Sequence, residues 1–232
     1  LATHGTRTEV YVTTADHAEG APSSGEVWEQ CPGSIVMQAA YPETEETPEQ
    51  REGTAAHWAV EQVLRGQLID VGLIAPNGWV LDQDMCDGAE LMRKAIPDRV
   101  RPLCRIEQRV HMARRIHPKV WGTPDVWAYD PRDRTVYVWD YKYGHGYVEV
   151  IDNRQLILYA AGVMEELGLD DLDTRVVLCI VQPRCWHKTG HVRRWSVPMS
   201  DLRGPWNRLM MAAETAFGDD PPINPGAHCR HC

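Results

Sequence analysis

The chain has 232 residues, 43% of them hydrophobic and 25% charged, which suits one ordinary core and excludes a collagen, a coiled coil or a wholly disordered chain. No apolar run approaches the roughly 20 residues that a membrane helix needs, and the opening LATHGTRTEV lacks the basic-then-apolar pattern of a secretory signal. The net charge of −9 hides two basic stretches: residues 93–119 carry 9 basic and 2 acidic side chains, and residues 175–200 carry 5 basic and none acidic. Brought together by the fold they would make a phosphate-binding stripe; apart, they are two solvated faces. Seven cysteines, an odd number, predict free or metal-bound thiolates in a reducing compartment rather than a disulfide framework.

In chain order, residues 1–26 are polar and rich in small residues, which predicts a loose arm ahead of a single domain over 27–232. VWEQCPGSIVMQAAYP reads as a short helix broken near Pro32, and PETEETPEQREG as an acidic loop. From Gly53 the pattern turns helical, with Ala56, Val60, Val63 and Leu64 at helical spacing and Gly66 ending the segment. A second helix is expected over Asp84 to Ala95. CRIEQRVHM alternates as one strand, with Ile106, Gln108 and Val110 on one face and Glu107, Arg109 and His111 on the other. TPDVWAYD and VYVWDYK are two further strands joined by the turn PRDRT, the second separating Val136, Val138 and Asp140 from Tyr137, Trp139 and Tyr141. NRQLILYAAGVMEEL is helical and stops at Gly168, RVVLCIVQP has the apolar run of a strand buried on both faces, and a last helix covers about 200–217. The order predicts an α/β fold with a central mixed sheet flanked by helices.

The chemistry lies in Gly122-Thr-Pro-Asp125, Asp140-Tyr-Lys142 and Gln155-Leu-Ile-Leu-Tyr159. A short hairpin can bring Asp125 and Asp140 to one end of the sheet, with Lys142 on the face of Asp140. Two close carboxylates repel and invite a divalent cation of oxygen preference, Mg²⁺ or Mn²⁺. Lys142 adds a point charge that could orient water or stabilise a phosphate. Taken alone, the same residues are two turn-flanking acids and a surface lysine.

Together, GTPD, DYKYG and NRQLILYA resemble the PD-(D/E)XK nuclease core of RecB-type exonucleases, including their Q-x-x-x-Y helix. With CPGS, EGTAAH and IEQRV added, the chain from Trp28 to Cys232 resembles a RecB-like phage and prophage family known mainly as a domain of unknown function. The resemblance implies a restriction-endonuclease-like core in which His57, Asp125, Asp140 and the Tyr141 carbonyl bind metal. It makes Lys142 the catalytic lysine and has Gln155 and Tyr159 holding the site and the strand. Glu107 matches a frequent first-strand acid of unassigned role. His145 departs from the pattern, since relatives often carry a basic residue there. The resemblance also implies a [4Fe–4S] cluster joining the two ends of the chain through Cys31, Cys229 and Cys232, with Zn²⁺ completed by His228 or His231 as the alternative.

The implied activity is that of a Mg²⁺- or Mn²⁺-dependent deoxyribonuclease, of exonuclease type, serving phage recombination or replication in the cytoplasm of a bacterial host. Its substrate would be DNA that is single-stranded or has free ends, and its partners a recombinase, helicase or single-strand-binding protein. Arg114, Arg115, Arg193 and Arg194 are the candidate phosphate contacts, because paired arginines next to strands lack an evident structural reason. The rival reading is a non-catalytic nucleic-acid-binding or assembly module of the same fold; retention of both Asp140 and Lys142 disfavours it.

Overall fold

A computed structural model describes residues 18–40 and 45–231. The chain passes through a 3-10 turn at Pro22–Ser24, then α1 (Gly25–Gln30), α2 (Ser34–Ala39), α3 (Pro48–Leu64) and α4 (Gln83–Ala95). Five strands follow: β1 (Arg105–Ile106), β2 (Val110–His111), β3 (Trp121–Gly122), β4 (Val126–Asp130) and β5 (Thr135–Tyr141). Then come α5 (Arg154–Glu166), β6 (Arg175–Val181), β7 (Val192–Pro198) and α6 (Met199–Ala216), and a 3-10 helix at Ala227–His231. The fold is α/β: β1, β4, β5, β6 and β7 form one five-stranded sheet in that order, with β5 and β6 parallel and the other pairs antiparallel. β2 and β3 make a separate two-stranded ribbon.

The sheet is covered on both faces, and strand alternation decides which side chain enters which core. Val136, Val138, Val176, Leu178 and Ile180 join the core built with α1, α5 and α6, whereas Trp139, Tyr141, Cys179 and Val181 join the core built with α3 and α4. That double burial accounts for the apolar run RVVLCIV. Each fully buried aliphatic side chain in it contributes about 1.5–3 kcal/mol. At Gly162 α5 comes so close to the ribbon that an added Cβ would lie 2.7 Å from Val110 Cγ2. The α5 crossover between parallel strands brings its first turn back to the end of β5, where Lys142 meets Gln155.

Four expectations need correction. Residues 48–52, expected in an acidic loop, are the first turn of α3: Thr47 accepts the Gln50 amide, Gln50 reaches back to the Thr47 amide, and Pro48 starts the helix. That is a capping box with proline at the first helical position, a signal stronger than the surrounding acidity. CRIEQRVHM is not one strand, because Glu107 takes φ +50° and diverts the chain from the sheet at β1 into the ribbon at β2. β7 was not expected; its pattern, VRRWSVP, is obscured by two arginines, one of them buried. Within the expected loose arm, residues 1–17 lie outside the described residues, but Gly20 and Pro22 are buried and the Trp28 indole donates to the Ala21 carbonyl.

Candidate metal centre

The β4–β5 register sets Val126 opposite Trp139, so Asp125, one residue before β4, falls beside Asp140. Asp125 Oδ2 accepts the Tyr141 amide at 2.5 Å, and Asp125 Oδ1 lies 3.1 Å from His57 Nδ1, which α3 carries in. Asp140 stays within β5, and Lys142 follows the strand with Nζ 3.2 Å from Asp140 Oδ1 and 2.9 Å from Oδ2. The lysine also donates to Gln155 Oε1 at 2.8 Å, and Gln155 Nε2 donates to the Tyr159 hydroxyl at 3.3 Å. One turn of α5 thereby orients the lysine through i, i+4 neighbours. Gly122 allows this closeness, since a Cβ there would stand 2.8 Å from Pro22 and 3.0 Å from the Tyr159 ring. Asp125, Asp140 and Lys142 are thus brought together as the strand spacing suggests, and His57, Gln155 and Tyr159 join them as the resemblance implies. Tyr141, expected through its carbonyl, meets Asp125 through its amide, while its side chain is buried in the α3–α4 core.

Glu107 completes the group. As a residue it is exposed, yet its carboxyl sits with His57 and Asp125, the three donor atoms all lying within 4.8 Å of one another. Burial of that carboxyl, then repulsion from Asp125, pushes its pKa up to about 8. Burial also raises Asp140, which Lys142 only partly offsets and Asp125 reinforces. Burial would raise Asp125 too, but the His57 ion pair and hydrogen bond outweigh it and hold the carboxyl below its ordinary value. His57 and Lys142, which burial alone would discharge, are both raised by these carboxylates, His57 chiefly by Asp125 and Lys142 chiefly by Asp140. Asp140 Oδ2 is buried and makes no directed hydrogen bond, though Lys142 Nζ lies 2.9 Å from it as an ion-pair partner. Three carboxyls sharing one lysine and one histidine suit a hard divalent cation.

The predicted arginines go elsewhere. The backbone amides of Arg114 and Arg115 donate to Glu165, the Arg114 guanidinium lies 3.5 Å from the same carboxylate, and the Arg115 guanidinium donates to the Leu169 carbonyl and to Asp170, all at the far end of α5. With a rise of about 1.5 Å per residue, that is roughly 15 Å from Gln155. Arg193 is 3% exposed and donates to Gln182 Oε1 at 2.6 Å and to the Val148 carbonyl at 3.0 Å. Arg194 donates to the Ala95 carbonyl at 3.0 Å. Arg115, Arg193 and Arg194 therefore have structural partners, which corrects the premise for them that paired arginines beside strands lack one, whereas the Arg114 side chain is mostly exposed.

Arg105 and Arg109 were not singled out, although they flank Glu107 on the exposed alternation of the segment. Neither makes an ion pair among the described residues. The Arg109 guanidinium stands 3.8 Å from the centroid of the Trp121 ring, which in turn lies 6.3 Å from the His111 ring. The signal was the alternation of Arg105, Glu107 and Arg109, which leaves all three exposed on either side of the Glu107 break.

At the chain ends, Cys31 is buried and its Sγ accepts the Asn224 amide at 3.3 Å, while Cys229 is exposed and accepts the Gly226 amide at 3.3 Å. Gln30 ties the two ends together, its carbonyl accepting from Asn224 and its Oε1 lying 3.0 Å from His228 Nδ1. The described residues thus join the ends by hydrogen bonds, and Cys232 lies outside the described residues. Among the described residues only His57, Glu107 and Asp125 form a compact group of three or more potential ligands, so no Zn²⁺ site of Cys31, Cys229 and His228 is assembled. The model of a protein family of unknown function, DUF2800, matches residues 17–232, and the chain belongs to that family.

Proposed function

We propose that this chain is a Mg²⁺- or Mn²⁺-dependent deoxyribonuclease of exonuclease type, built on the restriction-endonuclease-like core of RecB-like enzymes. The observation that carries the reading is the meeting of Asp125, Asp140 and Lys142 with His57 and Glu107 at one end of the sheet. His57, Asp125 and Asp140, with Glu107 beside them, would hold the cation, which when bound supplies charge neutralisation at the phosphate and makes water more acidic. Lys142 keeps its proton between Asp140 and Gln155 and offers its charge to the phosphodiester. Gln155 positions the lysine and Tyr159 supports Gln155, so neither needs to touch the reacting atoms. Arg105 and Arg109, free of carboxylates beside Glu107, are the phosphate contacts in place of Arg114, Arg115, Arg193 and Arg194.

Cys31, Cys229 and Cys232 are proposed as ligands of a structural [4Fe–4S] cluster clamping the two ends of the chain. Backbone amides already donate to both described thiols, the arrangement that stabilises thiolate ligands. Anaerobically purified protein should be brown and contain iron and sulfide; colourless protein containing zinc would move the ligand set to one with histidine. The setting proposed is phage recombination or replication in a bacterial host, with a recombinase, helicase or single-strand-binding protein as partner. No helix of the described residues is long and apolar enough to cross a membrane.

The deciding experiment incubates purified protein with end-labelled DNA in Mg²⁺, in Mn²⁺ and in EDTA. Cleavage that requires either metal and stops in EDTA supports the reading. Binding without cleavage in both metals would replace it with the non-catalytic module.

A further inference from the structure

A pocket of about 450 Å³ opens directly against the metal group. α3 supplies Ala55, His57, Trp58 and Glu61 to its lining, and Ala75, Pro76 and Glu107 come from outside the helix. Its volume lies within the roughly 300–1,000 Å³ of small-ligand pockets. The lining asks two chemistries of one occupant: a phosphate oxygen or a metal near His57 and Glu107, and a flat apolar group against Trp58, Ala75 and Pro76. Trp58 is only partly buried and lines the pocket, so part of its ring is open to an occupant. The facing wall is fixed: the Leu81 amide donates to the Leu73 carbonyl at 2.8 Å, the Ala75 amide to the Trp79 carbonyl at 2.8 Å, and Asn77 exchanges hydrogen bonds with Arg51 of α3. A rigid, partly apolar slot costs little ordering when a planar group enters it.

We infer that this pocket receives the nucleobase next to the scissile phosphate, with Trp58 as its stacking face, so that the enzyme acts on an unpaired strand. The inference rests on the nuclease reading and adds the substrate class. A base paired and stacked in a duplex cannot enter a slot beside the metal group, whereas one already unpaired enters without the cost of unstacking. Stacking on an aromatic side chain tolerates every base, which gives preference for single strands without preference for sequence.

The test uses the full chain in an Asp140→Asn background, so that bound DNA is not cut, and single-stranded oligonucleotides with 2-aminopurine at successive positions, in Mn²⁺. One position should be quenched on binding. Trp58→Leu should abolish the quench and weaken binding about 5- to 100-fold, the range for one lost base–aromatic stack, while Trp58→Phe retains most of both. Equal melting temperatures for the Leu and Phe variants separate lost stacking from lost packing. An unquenched series, or a quench that survives Trp58→Leu, would overturn the inference. In parallel, wild-type chain that cleaves duplex ends as fast as single strands would overturn it and leave the nuclease reading standing. Protein that neither binds nor cleaves any oligonucleotide with Mn²⁺ would overturn both.

Discussion

The two ends of the β4–β5 hairpin bury carboxylates in opposite ways. At the turn end, Asp130 is 1% exposed and fully served: Oδ1 accepts the Arg132 amide at 3.0 Å, and Oδ2 pairs with Arg99, which also reaches Asp133 at 2.6 Å. At the open end, Asp125, Asp140 and Glu107 share His57 and Lys142, Asp140 Oδ2 lacks a directed donor, and no hydrogen bond reaches the Glu107 carboxyl among the described residues. A fold stabilises a buried acid by surrounding it with matched donors, and an under-served acid costs stability. The turn end is built for the fold. The open end leaves its acids short of donors that a cation could replace, and Glu107 holds a left-handed backbone there, a strain of about 1–3 kcal/mol of the kind found at functional sites.

The sharpest way to break this contrast is to remove one charge from each end. Asp140→Asn or Lys142→Ala should lower cleavage by a factor on the order of 10²–10³ while leaving the far-ultraviolet circular dichroism unchanged. Near-wild-type turnover in either would mean that the site lies elsewhere. Asp130→Ala should do the reverse, costing about 1–3 kcal/mol of stability by leaving the Arg99 guanidinium without its buried partner. For a chain of this size each kcal/mol lowers the melting temperature by about 2–4 °C, and cleavage measured well below that temperature should persist. Lost activity at unchanged stability in Asp130→Ala would erase the distinction between the ends.

Glu107 gives a finer test through pH. Its carboxyl titrates near 8 when folded, against an ordinary value of 4.5, so the folded chain favours the neutral acid. That preference is fully present below about pH 4.5 and is lost as the pH rises through 8. Metal-free wild type should therefore lose stability relative to Glu107→Gln between pH 5 and 8.5, by about 1 kcal/mol after allowing for solvent access to the residue. Melting curves in EDTA across that range would show it; a constant difference would mean that the carboxyl is solvated. Added Mn²⁺ should stabilise wild type more than the variant.

The smallest expected effects separate the arginines without an ion pair from the tied ones. Arg105→Ala and Arg109→Ala should each reduce the salt dependence of DNA binding by about one phosphate contact, with little change in melting temperature. Arg193→Ala should lower the melting temperature and leave that dependence alone, since its guanidinium serves Gln182 and the Val148 carbonyl. Equal salt slopes for all three would remove Arg105 and Arg109 from the strand path.

What the sequence determined was local. Alternation in VYVWDYK fixed which side chains of β5 enter which core, and the hairpin through PRDRT fixed that Asp125 and Asp140 would lie side by side, because a strand period of two and a short turn leave no other register. The Gln155–Tyr159 spacing likewise fixed one helical turn. The role of the arginines was not local: whether a guanidinium meets a carbonyl, as Arg194 meets Ala95 from 99 positions away, depends on which elements the sheet brings together. Charge counting along the chain is blind to that, and so it favoured Arg193, which is buried, over Arg109, which stacks on Trp121 and makes no ion pair among the described residues. The same holds for the carboxyl of Glu107, the pocket at Trp58 and the meeting of Gln30 with His228: each depends on a contact between segments distant in the chain, which only tertiary packing can set.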